Sequence, residues 1–190
     1  MKSFFIFILL LAGVSKSFAV VADLNLGIAQ GSFSRATDQS VARSINSVGI
    51  FANLGKSDAS SGYLLGWYMS TIRNTETFQG VLDQTLTSSD MGPCFRWQIQ
   101  NRQNFSITYA YGIISKGSFS NGTVTEDING ESHLLKFAIE SNLSDRILIG
   151  LALNFYSANY KTSLVSSVQS NVSYTNGWTY PSISLSYHSF

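Results

Sequence analysis

Glu131-Ser132-His133 sets a carboxylate, a hydroxyl and an imidazole side by side, the three group types that together activate a serine nucleophile. His188-Ser189 repeats two of the three. Neighbours on an extended chain point to opposite faces, so neither Ser–His pair can hydrogen-bond unless the chain doubles back. Two histidines far apart and the lone Cys94 make a poor metal set. Asp58, Asp83, Asp90, Glu126 and Asp127 read as isolated, solvated turn residues rather than calcium ligands. Glu140 and Arg146 flank a short Ser141 to Asp145 turn and read as cross-strand partners, compensating each other in a polar interior or gating a narrow water path. No catalytic residue, metal or cofactor is expected.

The elements that carry these residues alternate with a period of two. Ile147-Leu148-Ile149-Gly150-Leu151-Ala152-Leu153-Asn154-Phe155 puts large apolar residues at every second position, with Gly, Ala and Asn among those between. The pattern recurs at Leu24 to Ile28, Val48 to Leu54, Tyr63 to Met69, Phe95 to Ile99, Phe105 to Ile113, Leu135 to Ile139 and Ile183 to Tyr187. Eight strands are expected, the last irregular because Pro181 interrupts it and Phe190 falls out of phase, which a bulge near Tyr187 to Ser189 would repair.

A basic Met1-Lys2 start, an apolar Phe4 to Val14 run and a small-x-small Ser17-Phe18-Ala19 site read as a secretory leader, giving 1–19 as signal peptide and 20–190 as one domain. Hydrophobic residues make up 44% of the chain and charged residues only 12%, about half the usual globular share, so much of the surface is not built for water. No apolar run is long enough to cross a bilayer as a helix, and lipid-exposed backbone must satisfy its own hydrogen bonds. A closed antiparallel eight-stranded transmembrane β-barrel meets both conditions, against a soluble sandwich or lipocalin-like sheet whose oily faces would point inward. The net charge of +1 argues against a nucleic-acid partner. Cys94 has no disulfide partner and reads as a small inward side chain.

The connecting segments alternate in length. Gly55 to Ser61, Gln100 to Asn104 and Ser141 to Asp145 are short; Gly31 to Arg43, Ile72 to Asp90, Ser115 to Ser132 and Ser157 to Asn176 are long and rich in Ser, Thr, Asn, Asp and Gly. With large apolar residues facing lipid, Tyr63, Trp67, Phe95, Trp97, Phe105 and Tyr187 fall on the outer face. The interior receives Asp23, Phe51, Leu64, Tyr68, Arg96, Lys136, Glu140 and Arg146, enough bulk to fill an eight-stranded lumen.

Leader, eight alternating strands, alternating short and long connections and a terminal aromatic resemble the small outer-membrane barrels of Gram-negative bacteria, the class of the OmpA transmembrane domain and OmpX. Ile183, Leu185, Tyr187 and Phe190 are similar to the terminal strand by which such proteins meet the barrel assembly machinery. The resemblance implies an integral outer-membrane protein with both termini periplasmic, surrounded by outer-membrane lipids and lipopolysaccharide, with four long surface loops available to a surface ligand or envelope protein. It implies a structural or interaction role, with a narrow channel or a lipid A-modifying enzyme as alternatives. Neither Ser–His pair has the His-x-Ser spacing of the lipid A deacylases.

Overall fold

The structure, a computed structural model, describes residues 19–34, 40–57, 61–78, 83–100 and 104–189. Residues 1–18 of the expected leader, and Phe190, lie outside them. Eight strands follow one another: β1 (Ala19–Ser34), β2 (Ser40–Ser57), β3 (Ser61–Phe78), β4 (Gln84–Gln100), β5 (Asn104–Ser120), β6 (Thr125–Asn142), β7 (Ile147–Val165) and β8 (Val168–His188). Each pairs antiparallel with the next and β8 pairs back onto β1, so the sheet closes. Closure is what lets an apolar outer face coexist with satisfied backbone, because it pairs the two end strands with each other from Val21 to Gly27.

Alternation sets the two faces. Leu151 is 72% exposed and Ala152 only 6%, and the same step separates Ile183 from Ser184, Trp67 from Tyr68 and Phe95 from Arg96. Outside lies a belt of Leu, Ile, Val and aromatic side chains, including Tyr63 stacked on Phe95 and Phe137 edge-on to Phe155. Tyr63, Trp67, Phe95 and Tyr187 are exposed, and Trp97 and Phe105 half-buried, all on this outer face.

Most of the described residues in the long connections expected from the sequence are strand instead. β4 begins at Gln84 and β6 at Thr125, while β7 and β8 meet across a two-residue turn, Val165 opposite Val168. Two irregularities hide this. Between Gly112 and Ser115 β5 carries one residue more than either neighbour, so that Ile113 and Ile114 both point outward and the alternation slips by one. β7 does the same against β6 around Lys161, between Tyr160 and Thr162. Above Ser163 the β7–β8 ribbon is exposed on most positions, so no apolar period marks it.

The turns show ordinary local chemistry. Asn121 Oδ1 accepts from the backbone N–H of Thr123 and of Val124, an Asx turn around Gly122 at φ 86°. Ser166 and Ser167 both adopt left-handed backbone (φ 48° and 70°), the signature of a two-residue primed hairpin turn.

Both prolines stand where one ladder fails. Pro93 lies opposite the β5 bulge, in the gap of the β4–β5 register. Pro181 pairs with Leu153 of β7, but the β1–β8 rungs end one residue earlier, at Gly27 and Ser182. A residue without an N–H belongs at a strand edge, and above Pro181 β8 is hydrogen-bonded on its β7 side alone. Up to His188 no such bulge as that expected near Tyr187 to Ser189 is present, because the β1–β8 register runs unbroken from Gly27 opposite Ser182 to Val21 opposite His188.

Candidate functional site

The interior is filled by two polar plugs and capped by a small vestibule. The lower plug lies toward the end that holds Ala19 and His188. Arg96 of β4, 1% exposed, is its centre: one guanidinium nitrogen donates to Asp23 of β1 and the other to Glu140 of β6 at 2.8 Å. Lys136 Nζ donates to the same Asp23 oxygen at 3.2 Å and sits 4.5 Å from the centre of the Phe51 ring. Ser184 and Ser186 of β8 donate to the remaining Glu140 oxygen. Two cations thus face two carboxylates across three strands, so the desolvation of each charge is offset by partners fixed in place. Above them Asn154 donates to Ser182 Oγ at 2.7 Å and accepts from Asn25, while Cys94 donates its S–H to Asn53.

Arg146 is not part of this plug. It lies in the exposed Leu143 to Arg146 turn, where its backbone carbonyl accepts from the His188 N–H, and Glu140 is taken by Arg96. The cross-strand partner of Glu140 is Gly150, four residues beyond Arg146; the β6–β7 ladder ends at Asn142 opposite Leu148, and in the turn Ser144 Oγ accepts from the N–H of Arg146 and Ile147. Asp23 is the partner that the proposed pair left out; its place in the inward row of β1 was the available signal.

The upper plug is built from hydroxyls and rings. Asp90, expected to be a solvated turn residue, is buried in the inward row of β4. Ser88 Oγ donates to one of its oxygens at 3.0 Å and Tyr156 OH to the other at 3.0 Å; among the described residues no cation pairs with it. Tyr156 stacks on Trp178, its cross-strand partner, at 5.2 Å between centroids. Tyr68 stacks on Phe51 and shares a hydrogen bond with Ser132 at 3.2 Å. Gly112 makes room for that contact, since a Cβ there would run into the Ser132 hydroxyl and lie 2.6 Å from the Tyr68 oxygen. Asp90 falls at the end of the Ile72 to Asp90 segment read as a connection, while Tyr156 and Trp178 flank the Ser157 to Asn176 one, just outside the alternating apolar runs.

Ser132 and His133 fall on opposite faces. The serine is inside the barrel, while the His133 ring stacks against Tyr111 outside and bonds Tyr109 OH at 2.8 Å. Glu131 accepts from Lys161 Nζ and Tyr111 OH, both at 2.9 Å. His188 is buried and Ser189 exposed, accepting from the Val20 N–H. No described cluster of His, Cys, Asp and Glu is arranged to hold a metal ion.

At the end away from the termini, Arg43, Asn74, Glu76, Gln84, Phe119 and Trp178 border a cavity of about 280 Å³. Arg43 grips Glu76 Oε1 with Nη2 at 2.7 Å and Nε at 3.2 Å, and Asn74 Nδ2 donates to the same oxygen at 3.3 Å.

No family model and no curated protein matches the chain by sequence. Among solved structures, it is similar to Neisserial surface protein A (NspA), at 10% identity and a TM-score of 0.50, over 90% of this chain and 96% of that one. It also aligns with OmpT, an outer membrane protein of Vibrio cholerae, at 9% identity, TM-score 0.32, 92% of this chain and 53% of that one. The translocator domain of the autotransporter NalP from Neisseria meningitidis aligns at 10% identity, TM-score 0.20, 93% and 90%. The closed ring of eight antiparallel strands, the apolar exterior and the likeness to NspA identify the fold as that of a small outer-membrane β-barrel.

Proposed function

We propose that the protein is an integral, non-enzymatic component of a bacterial outer membrane, with a closed lumen, both termini in the periplasm and its β-ribbon end displayed at the cell surface as an interaction platform. The observation that carries this reading is the lumen: side chains fill it from Val21 and Leu64 at the terminus end to Tyr156 and Trp178 near the other. A barrel plugged at two levels offers no steady path for solute. What it leaves to act with is the surface beyond the apolar belt, where, among the described residues, β7 and β8 run on as an exposed ribbon in place of the long loop expected there. Lipopolysaccharide and other outer-membrane lipids would surround the belt. The outward row Ile183, Leu185 and Tyr187, with Phe190 beyond it, would meet the barrel assembly machinery.

An epitope inserted between Ser166 and Ser167 tests the reading. In a Gram-negative host the tagged protein is expected in the outer-membrane fraction, heat-modifiable on gels and labelled by antibody on intact cells. Recovery in a soluble fraction, or labelling only after permeabilisation, overturns it.

A further inference from the structure

We infer that the outer wall of β1 to β5, at the rim of the apolar belt away from the termini, holds one lipid with a doubly phosphorylated sugar headgroup, the chemistry of lipid A. The site fixes one molecule among the lipids that bathe the belt, and it rests on the surface-facing orientation proposed above.

The argument begins with two cations. Arg73 of β3 and Lys116 of β5 are exposed on the outward face. Among the described residues neither has an ion-pair partner; the pairs outside the lower plug are Arg43 with Glu76 and Lys161 with Glu131. β4 runs between them. Cross-strand register puts Met69, Met91 and Ile114 in one row, Thr71, Ser89 and Lys116 in the next, and Arg73, Thr87 and Ser118 in the one after. Within one step, therefore, the belt gives way to four hydroxyls with a cation at either end. Thr71 Oγ1 and Ser89 Oγ are hydrogen-bonded at 3.3 Å. Two strand spacings and one step along the strands set the cations about 12 Å apart. On the far side of Arg73 the row runs through Asn46 to Ile28 without a carboxylate. Asp83, before β4, and Asp127, opposite Ser118, bound the strip and pair with neither cation.

Exposed cations beside hydrocarbon attract anionic headgroups. Phosphate suits both side chains, since the arginine fork takes two of its oxygens and the lysine meets it as a point charge. A zwitterionic lipid fits badly, because its ammonium would sit among the same cations. Two separated cations call for two phosphates, and the hydroxyls between them for a polar ring system that both donates and accepts. The wall beside Arg73 also accommodates hydrocarbon. Leu26, Ile28 and Val48 fence a hollow of about 380 Å³ whose other side is Asn46, Thr71 and Arg73. Gly27 and Ser47 give it a backbone floor, since a Cβ on Gly27 would meet the Ser47 hydroxyl and the Tyr180 ring on the lumen side. An acyl chain leaving a headgroup at Arg73 packs there against aliphatic side chains.

Native mass spectrometry of the full-length barrel, released from detergent, tests this with lipid A bearing two phosphates, one or none, and with phosphatidylglycerol and phosphatidylethanolamine. One doubly phosphorylated lipid A per barrel is expected to be retained, and removing each phosphate should weaken binding about fivefold. Arg73→Gln and Lys116→Gln should each weaken it by a similar factor and blunt the dependence on phosphate number. Lys161→Gln, whose cation is paired with Glu131, should leave it unchanged. Val48→Trp fills the hollow without altering charge and should weaken all three forms of lipid A alike. Every variant is first shown to be heat-modifiable. Phosphatidylglycerol or phosphatidylethanolamine bound as tightly as the doubly phosphorylated lipid, binding indifferent to phosphate number, or an equal loss from Lys161→Gln overturns the proposal. So does binding unchanged in both Arg73→Gln and Lys116→Gln, or in Val48→Trp. These readouts do not depend on which end of the barrel faces outward, so their failure leaves the surface-display test standing, whereas periplasmic labelling in that test removes lipid A as the occupant.

Discussion

The two plugs solve one problem with different chemistry. Each must fill a low-dielectric tube that strands alone leave hollow. The lower one does so with charges: Arg96 and Lys136 against Asp23 and Glu140. The upper one holds a single carboxylate, Asp90, by hydroxyls and packs the remainder with stacked rings. Charge pairing is stronger per contact but unforgiving, because deleting one member strands the other in the interior. Hydroxyl networks lose less when trimmed, since each member has several weaker contacts.

The largest expected effect follows from that asymmetry. Glu140→Ala removes one of the two carboxylates that Arg96 grips and leaves Ser184 and Ser186 without their acceptor. A loss of about 3–5 kcal/mol is expected in urea unfolding from lipid vesicles, read by tryptophan fluorescence. Asp90→Asn preserves volume and one acceptor, so the same measurement should show a loss within about 1.5 kcal/mol. Equal losses from the two substitutions would erase the distinction between the plugs. Because the plugs stand in series, wild type and Asp90→Asn should show no steady current in planar bilayers, and opening a path should need simultaneous truncation of Arg96 and Tyr156 to Ala. Steady wild-type current would mean that neither plug seals the lumen. The smallest effect is expected beyond both plugs, at the β7–β8 turn. Replacing Ser166-Ser167 by Asn-Gly relieves left-handed strain at two positions, and a gain of about 0.5–1 kcal/mol in the same unfolding assay is expected.

Sequence and structure agree wherever a strand has one face in oil and the other in the lumen. From Ile147 to Phe155, or Tyr63 to Met69, every residue lands on the expected face, because a period of two survives as long as the environments on the two sides differ. Legibility ends where that contrast ends. Beyond the apolar belt both faces of the β7–β8 ribbon meet water, and the extra residues at Ile113-Ile114 and Lys161 shift the phase, so strand reads as loop. Glu140 is buried in the interior, and its cation is Arg96 rather than the Arg146 of the nearest turn. A barrel lumen joins residues far apart in the chain: Arg96 and Glu140 are 44 positions apart, and Asp23 and Lys136 are 113. No local spacing records such a pairing.

Pro181 also bears on how the ring is completed. Seven adjacent pairs of strands are consecutive in the chain and can zip from their turns, each bringing its partner within reach as it forms. The eighth junction joins the first strand to the last across the whole polypeptide, and its ladder runs only from Val21 to Gly27 against Ser182 to His188. The joint with the greatest chain entropy to overcome is therefore the shortest, and it lies beside both termini. Asp23 and Asn25 on one side, and Ser182, Ser184 and Ser186 on the other, bring their buried side chains into the lower plug along that same stretch. Closing the ring and sealing the lower lumen are thus a single cooperative event, with the proline marking how far the zipper must travel before the barrel is shut.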